Sequence, residues 1–445
     1  MKLSQTSFLI LVALAATATS AAAQPAAPPA VEPTAQPAAP PAVEPATPPA
    51  APPATPPATQ PATPPAAPPA TPPAAPPATP PAAPPSGPTV KLDGYVEVHY
   101  SRNFNEPSNG ITNFRGFDNR HDTFTLSNAV LGGTFDYESL SGRLALQIGH
   151  TPGTYYLAEP LSPGAGGAAG TSADVFKYIQ QAYAGWKAPL GRGLLLQGGV
   201  FLSPIGYEGM AVKDNWNWSR SDLFFGLPFY HTGLRATYEA TDRLTVMAMV
   251  CNGWNSVVDN NDHKSIEAQV IYKVPDRLTL SVLYFGGNER PKGAPEGEPW
   301  RNLFDVWAQL DATRWLSFAA QANAGFEQNT FGTSYWGTGA LYARVQPASW
   351  LYLAARGDVF REHAASNADG TASRIFWPAD TVGSATLTAD LRPHSNVSFR
   401  LEYRHDQADG DMFFAGTVAG DGTTTPYVAN ARSQDTLTAG LTAWF

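Results

Sequence analysis

The sequence predicts an all-β fold: a closed antiparallel transmembrane β-barrel of about 16 strands, preceded by a disordered Pro/Ala-rich segment. Three observations carry this. From Thr89 onward, apolar and polar residues alternate with period two. Short turns and long connections alternate along the same stretch, as in barrels that cross a membrane. No segment offers the roughly 18 consecutive apolar residues a spanning helix needs. Yet the chain carries 11 Trp, 17 Tyr and 22 Phe with only 15% charged residues.

The first residues read as an address. Lys2 precedes the apolar run 8–16, and Ala21-Ala22-Ala23 place small residues before Gln24. This three-part pattern predicts a secretory signal peptide over 1–23, its apolar run being too short to span a bilayer. No cysteine directly follows that run, which argues against a lipid-anchored N-terminus, and Cys251, the single cysteine, cannot form an intrachain disulfide.

Residues 24–88 hold 28 prolines in repeats such as Ala-Pro-Pro-Ala-Thr-Pro-Pro. Such repeats cannot bury a core or donate regular hydrogen bonds, and they favour polyproline II. A disordered periplasmic spacer is expected, reaching about 200 Å when extended at about 3.1 Å per residue. Contact with the cell wall is open to a segment of that length. A chain joining the signal peptide directly to Thr89 is expected still to assemble its barrel.

Residues 89–445 are the barrel domain. At the C-terminus Leu437, Ala439, Leu441, Ala443 and Phe445 alternate with Thr436, Thr438, Gly440, Thr442 and Trp444. The same parity returns in Val397-Phe399-Leu401-Tyr403 against Ser398-Arg400-Glu402-Arg404, and again near 341–345 and 143–148. One face suits lipid; the other suits a wet lumen. Strands are expected near 90–100, 123–137, 140–150, 175–186, 194–202, 231–239, 244–254, 264–272, 278–285, 300–311, 316–326, 335–345, 351–360, 381–391, 397–405 and 434–445.

Alternation alone fits a soluble sandwich as well; the connections decide. Tight turns are expected at 188–192, 240–244, 274–278, 312–316, 346–351 and 392–397. Longer connections occupy 101–122, 151–174, 203–229, 255–263, 286–299, 327–334, 361–380 and 406–433. An even strand count leaves both ends on the periplasmic side, and closure removes every sheet edge from lipid. At 16 strands side chains do not fill the interior, so an aqueous channel is expected.

The connection 203–229 is the most informative segment. It contains Ser203-Pro204-Ile205-Gly206-Tyr207-Glu208-Gly209, then Arg220-Ser221, then Pro228-Phe229-Tyr230-His231-Thr232-Gly233. A Pro-x-Gly-x-Glu element, a following Arg-Ser and a Pro-x-x-His-x-Gly lead into the next strand resemble the OmpL-like putative β-barrel porins. The resemblance covers about 90–445 and implies a barrel porin; it says little about cargo.

Read physically, this connection can fold inward and narrow the pore. It carries Glu208, Lys213, Asp214, Arg220 and Asp222, with Arg143, Arg235, Arg344, Arg356, Arg400 and Arg404 as wall partners on the polar faces. Rings of charge set ion preference in such pores. Neutralising Glu208 is then expected to lower cation preference, and neutralising Arg220 to raise it. The opposing reading, that Glu208 and Arg220 simply pin the loop to the wall, is equally open. Trp216, Trp218, Phe224, Phe225, Phe229 and Tyr230 admit a sugar-stacking track, but an aromatic girdle at the outer rim is expected.

Other patterns fail on context. Gly164-x-Gly166-x-x-Ala169 lacks the strand–turn–helix setting of a dinucleotide site and reads as loop. The eight histidines show no close ligand pairs, so neither a metal nor another cofactor is expected, and no Gly-x-Ser-x-Gly elbow occurs. The net charge of -9 argues against nucleic acid. The expected function is passive diffusion of small hydrophilic solutes or ions across the bacterial outer membrane, with membrane lipid as the surrounding partner. An outer-membrane anchor tethered to the cell wall through the Pro/Ala arm is the alternative. A barrel-embedded enzyme is the weakest reading. A homo-oligomer is compatible with such a barrel, but the sequence does not set its stoichiometry.

Overall fold

The computed structural model describes residues 87–155 and 176–445. The signal peptide, nearly all of the Pro/Ala segment and the Gly164–Ala169 pattern lie outside the described residues.

Sixteen strands close on themselves: β1 (Thr89–Asn103), β2 (Thr123–Tyr137), β3 (Leu140–Ile148), β4 (Ile179–Ala188), β5 (Leu194–Leu202), β6 (Tyr230–Glu239), β7 (Leu244–Cys251) and β8 (Ser265–Val274) form one half. The other half is β9 (Leu278–Asn288), β10 (Trp300–Thr313), β11 (Leu316–Asn329), β12 (Gly332–Ala348), β13 (Leu351–His363), β14 (Thr381–His394), β15 (Val397–Ala408) and β16 (Ser433–Trp444). Each strand pairs antiparallel with its sequence neighbours. β1 and β16 complete the ring, from Tyr95 opposite Trp444 to Asn103 opposite Thr436. A short helix, α1 (His150–Tyr155), follows β3.

The expected tight turns all occur, and they define one end of the barrel. In two of them proline sits where the ladder slips: Pro347 lies in the register shift between Val345 and Ala348, and Pro393 in that between Leu391 and His394. Proline has no amide to donate, so it is tolerated only where pairing is already broken. The expected loop 327–334 is a correction. β11 and β12 run on through it, Phe326 pairing with Tyr335, and only Thr330 and Phe331 remain as a turn.

Side-chain orientation follows the expected parity. Along β16, Gln434, Thr436, Thr438, Gly440 and Thr442 are buried inside, while Leu437, Ala439, Leu441 and Ala443 face out. Leu234, Leu341 and Leu387 are among the most exposed residues, whereas Glu402 and Arg404 are fully buried. Water would reverse that distribution; a hydrocarbon surround requires it. Outward aromatics gather near both ends, with Trp186, Trp315 and Trp350 near the short turns and Phe124, Trp300 and Tyr335 near the long connections. These form the girdles.

Candidate pore constriction

The connection between β5 and β6 does not stay at the rim. Its base is closed where the Ser203 amide donates to the Phe229 carbonyl at 2.9 Å, and His231 Nε2 lies 3.2 Å from Ser203 Oγ. Gly233, two residues on, has no room for a Cβ, which would stand 2.1 Å from the Val250 carbonyl oxygen of the next strand. This accounts physically for the His-x-Gly spacing.

From that base the chain descends along β8–β11. Gln269 Nε2 donates to the Pro204 carbonyl at 3.2 Å, the Gly206 amide to Asp305 at 3.3 Å, and the Tyr207 amide to Gln321 Oε1 at 3.1 Å. Gly206 adopts φ +91, a left-handed conformation that favours glycine. Glu208 then meets β13: Arg356 Nη1 donates to its Oε1 at 2.9 Å, and Ser221 donates to its Oε2 from both amide (2.8 Å) and hydroxyl (2.5 Å). Further on, the Val212 amide donates to Glu97 of β1 at 2.6 Å. The loop therefore crosses the lumen.

The return limb is clamped by β13–β15. Arg400 donates to the carbonyls of Asn217 (2.9 Å) and Asn215 (2.8 Å), while Glu402 accepts the amides of Trp218 (2.5 Å) and Ser219 (2.8 Å). Arg404 Nη2 pairs with Asp222 at 2.6 Å and also donates to the Arg220 carbonyl. The Trp218 indole packs against Gly440, where a Cβ would lie 2.3 Å from the ring. Arg220 turns back on its own loop, donating to the carbonyls of Gly209, Trp218 and Met210, and its guanidinium lies 5.2 Å from the Phe117 ring.

The anticipated charges thus separate into three groups. Glu208, Arg220, Asp222, Arg356, Arg400 and Arg404 come together, all buried and partnered. Lys213 and Asp214 sit at the loop tip, paired with each other at 2.8 Å, and their side chains stay 28% and 61% exposed. They line a cavity of about 390 Å³ with Tyr95, Arg143, Trp444 and Asp93, the last bridged by Arg143 at 2.6 Å. Arg235 and Arg344 stand apart from these clamps. Arg235 donates to Gln197 at 2.8 Å and lies 4.2 Å from the Phe201 ring; Arg344 lies 4.7 Å from Trp216 and 5.4 Å from Tyr352.

The rim expectation for the loop aromatics is corrected. Trp216, Trp218, Phe224, Phe225, Phe229 and Tyr230 are all buried inside the barrel. Phe224 stacks on Phe229 with centroids 5.2 Å apart, and Phe117 meets both edge-on. Inward-folded loops offer an apolar side chain more burial than a rim does. Other connections join in. Glu362 accepts the amides of Ile375 (2.6 Å), Phe376 (3.3 Å) and Trp377 (3.1 Å), drawing Phe376 and Trp377 inside, and Phe413 enters from the last connection. In the first connection Arg115 pairs with Asp118.

Sequence reasoning missed the wall acids Glu97, Asp358, Glu362 and Glu402. A signal existed: an acid two residues from an arginine shares its lumenal face, as in Arg356–Asp358 (3.1 Å) and Arg404–Asp406 (2.6 Å). Among the described residues, no group of three or more His, Cys, Asp or Glu could hold a metal.

A family described as "Putative beta-barrel porin-2, OmpL-like" matches residues 89–445. The fold is similar to the outer membrane channel DcaP of Acinetobacter baumannii (11% identity, 81% of this chain and 98% of that one, TM-score 0.51). It is similar to an anion-selective porin from Comamonas acidovorans (12% identity, 81% and 100%, TM-score 0.51). OmpT of Vibrio cholerae in its trimer form is alike to the same degree (11% identity, 81% and 100%, TM-score 0.51). At such identities the likeness is one of fold. A comparison with curated proteins finds no match.

Proposed function

We propose, on the premise that this chain belongs to the family of OmpL-like β-barrel porins, that it is a passive outer-membrane channel for small hydrophilic solutes or ions. The short-turn end faces the periplasm, the long connections face outward, and no chemical step is involved. The observation that carries this reading is the loop 203–229. It crosses a polar-lined lumen and is clamped on the far wall by Arg356, Arg400, Glu402 and Arg404. A loop held this way narrows the path, and the charges it leaves exposed, Lys213 and Asp214, set the local field.

A second reading, an anchoring barrel without conduction, is favoured by one observation. Apolar side chains from several connections, Phe117, Phe224, Trp377 and Phe413 among them, pack in one cluster inside the barrel. Planar-bilayer conductance separates the two. Discrete open-channel steps support the channel; a folded barrel without current supports the anchor.

A further inference from the structure

Near the short-turn end, guanidinium groups and aromatic rings alternate along the inner wall. Arg344 lies 4.7 Å from Trp216 of the crossing loop and 5.4 Å from Tyr352; Arg392 lies 5.0 Å from Tyr352 and 5.8 Å from Trp444. The two arginines differ in one respect. Arg392 has its carboxylate, Asp390, at 2.9 Å. The Arg344 guanidinium makes no hydrogen bond or ion pair with any described residue, and the residue is half-buried.

The nearby acid is already engaged. Asp311, on β10 beyond Ser317, accepts from Gln309 at 3.1 Å and from Ser317 at 2.6 Å; it acts on Arg344 through space but forms no ion pair with it. A cation–π contact uses the charge of a guanidinium without consuming its N–H donors. The two rings flank the Arg344 guanidinium and leave its N–H donors without a partner among the described residues. We propose that Arg344, held between Trp216 and Tyr352, binds the carboxylate of a small planar organic anion passing through the barrel. The planar fork matches a carboxylate bidentately, and the half-buried Tyr352 ring, not the buried Trp216, receives the apolar body of the solute. The inference rests on the channel reading and names its substrate class.

Benzoate is the probe. With the full chain in a planar bilayer in potassium chloride, benzoate is expected to block the ion current, and inorganic phosphate to block it more weakly. Arg344→Gln should raise the half-blocking benzoate concentration about tenfold or more, as expected for loss of one charge-assisted bidentate pair. Arg344→Lys keeps the charge without the fork and should weaken block as well. Equal block in native and Arg344→Gln channels, or phosphate blocking as well as benzoate, overturns the proposal while the channel reading stands. Saturation-transfer NMR of benzoate on the detergent-solubilised barrel gives a second readout independent of current. Transfer lost in Arg344→Gln supports the site even if no current flows, an outcome that refutes the channel alone. Transfer unchanged in that variant overturns the site.

Discussion

Arg356 and Glu208 meet inside the barrel, Nη1 to Oε1 at 2.9 Å, joining a wall strand to a loop 148 residues earlier in the chain. Both side chains are essentially excluded from solvent. Buried charges are retained at such a cost only when each has a partner, so this pair fixes where the loop lies.

Breaking the pair should release the loop. Removing one member of a buried ion pair costs about 3–5 kcal/mol, because the other is left uncompensated. Glu208→Ala is expected to expose residues 209–222 to protease in detergent and to enlarge the single-channel conductance. The Glu208→Ala/Arg356→Ala double variant should be less stable still, because Arg356 also pairs with the buried Asp358 at 3.1 Å and its loss leaves that carboxylate uncompensated. Because Glu208 and Arg220 are both consumed in holding the loop, neutralising either is expected to alter conductance more than ion preference.

Ion preference should instead follow the loop tip. Asp214 and Lys213 keep exposed charge on the cavity that Arg143 and Trp444 share. Asp214→Asn is expected to move the reversal potential across a salt gradient toward anion preference, and Lys213→Gln to move it toward cations. High salt should shrink both shifts, since exposed charges are screened within about 10 Å at 0.1 M. Unchanged reversal potentials would place the tip outside the conduction path.

The barrel itself was legible from sequence because side-chain parity is a local property. The alternation in β15 and β16 and the six tight-turn segments read directly as strands and their connections. The destination of the loop aromatics was not legible. Trp218 reads equally well as rim or interior until Gly440 of β16, more than two hundred residues later, opens the space its indole fills. The pins were half legible: the arginines were visible, but carboxylates such as Glu402 accept loop amides, and a backbone amide leaves no mark in a sequence.

The first connection should loosen in acid. Burial alone would raise the Asp118 carboxyl, but the adjoining Arg115 guanidinium outweighs it and holds the group down at about 2 against an ordinary 3.8. A depressed carboxylate contributes stability above its ordinary value, and that contribution is lost as pH falls from about 3.8 to about 2. Protease accessibility of residues 104–122 should therefore stay flat from pH 7 to about 4 and rise below that. Asp118→Asn should remove this pH dependence.

The outward face should reject charge. Leu401 is 50% exposed on β15. Leu401→Arg is expected to cost about 2–4 kcal/mol in folding into bilayers if it lies near the midplane, whereas Leu401→Ile should cost less than about 1.5 kcal/mol. Ser398, on the opposite parity, points inward as anticipated but is fully buried and donates to Asp390 at 2.6 Å. Ser398→Arg is therefore expected to be destabilising. Urea titrations of refolding into vesicles measure these costs.

Single-channel conductance of the full chain in a planar bilayer tests the account most directly. A lumen crossed by a clamped, charged loop predicts small, discrete, steady current steps that grow when Glu208→Ala releases the loop. A heat-modifiable barrel that inserts yet passes no current, both as the native chain and as Glu208→Ala, would contradict it.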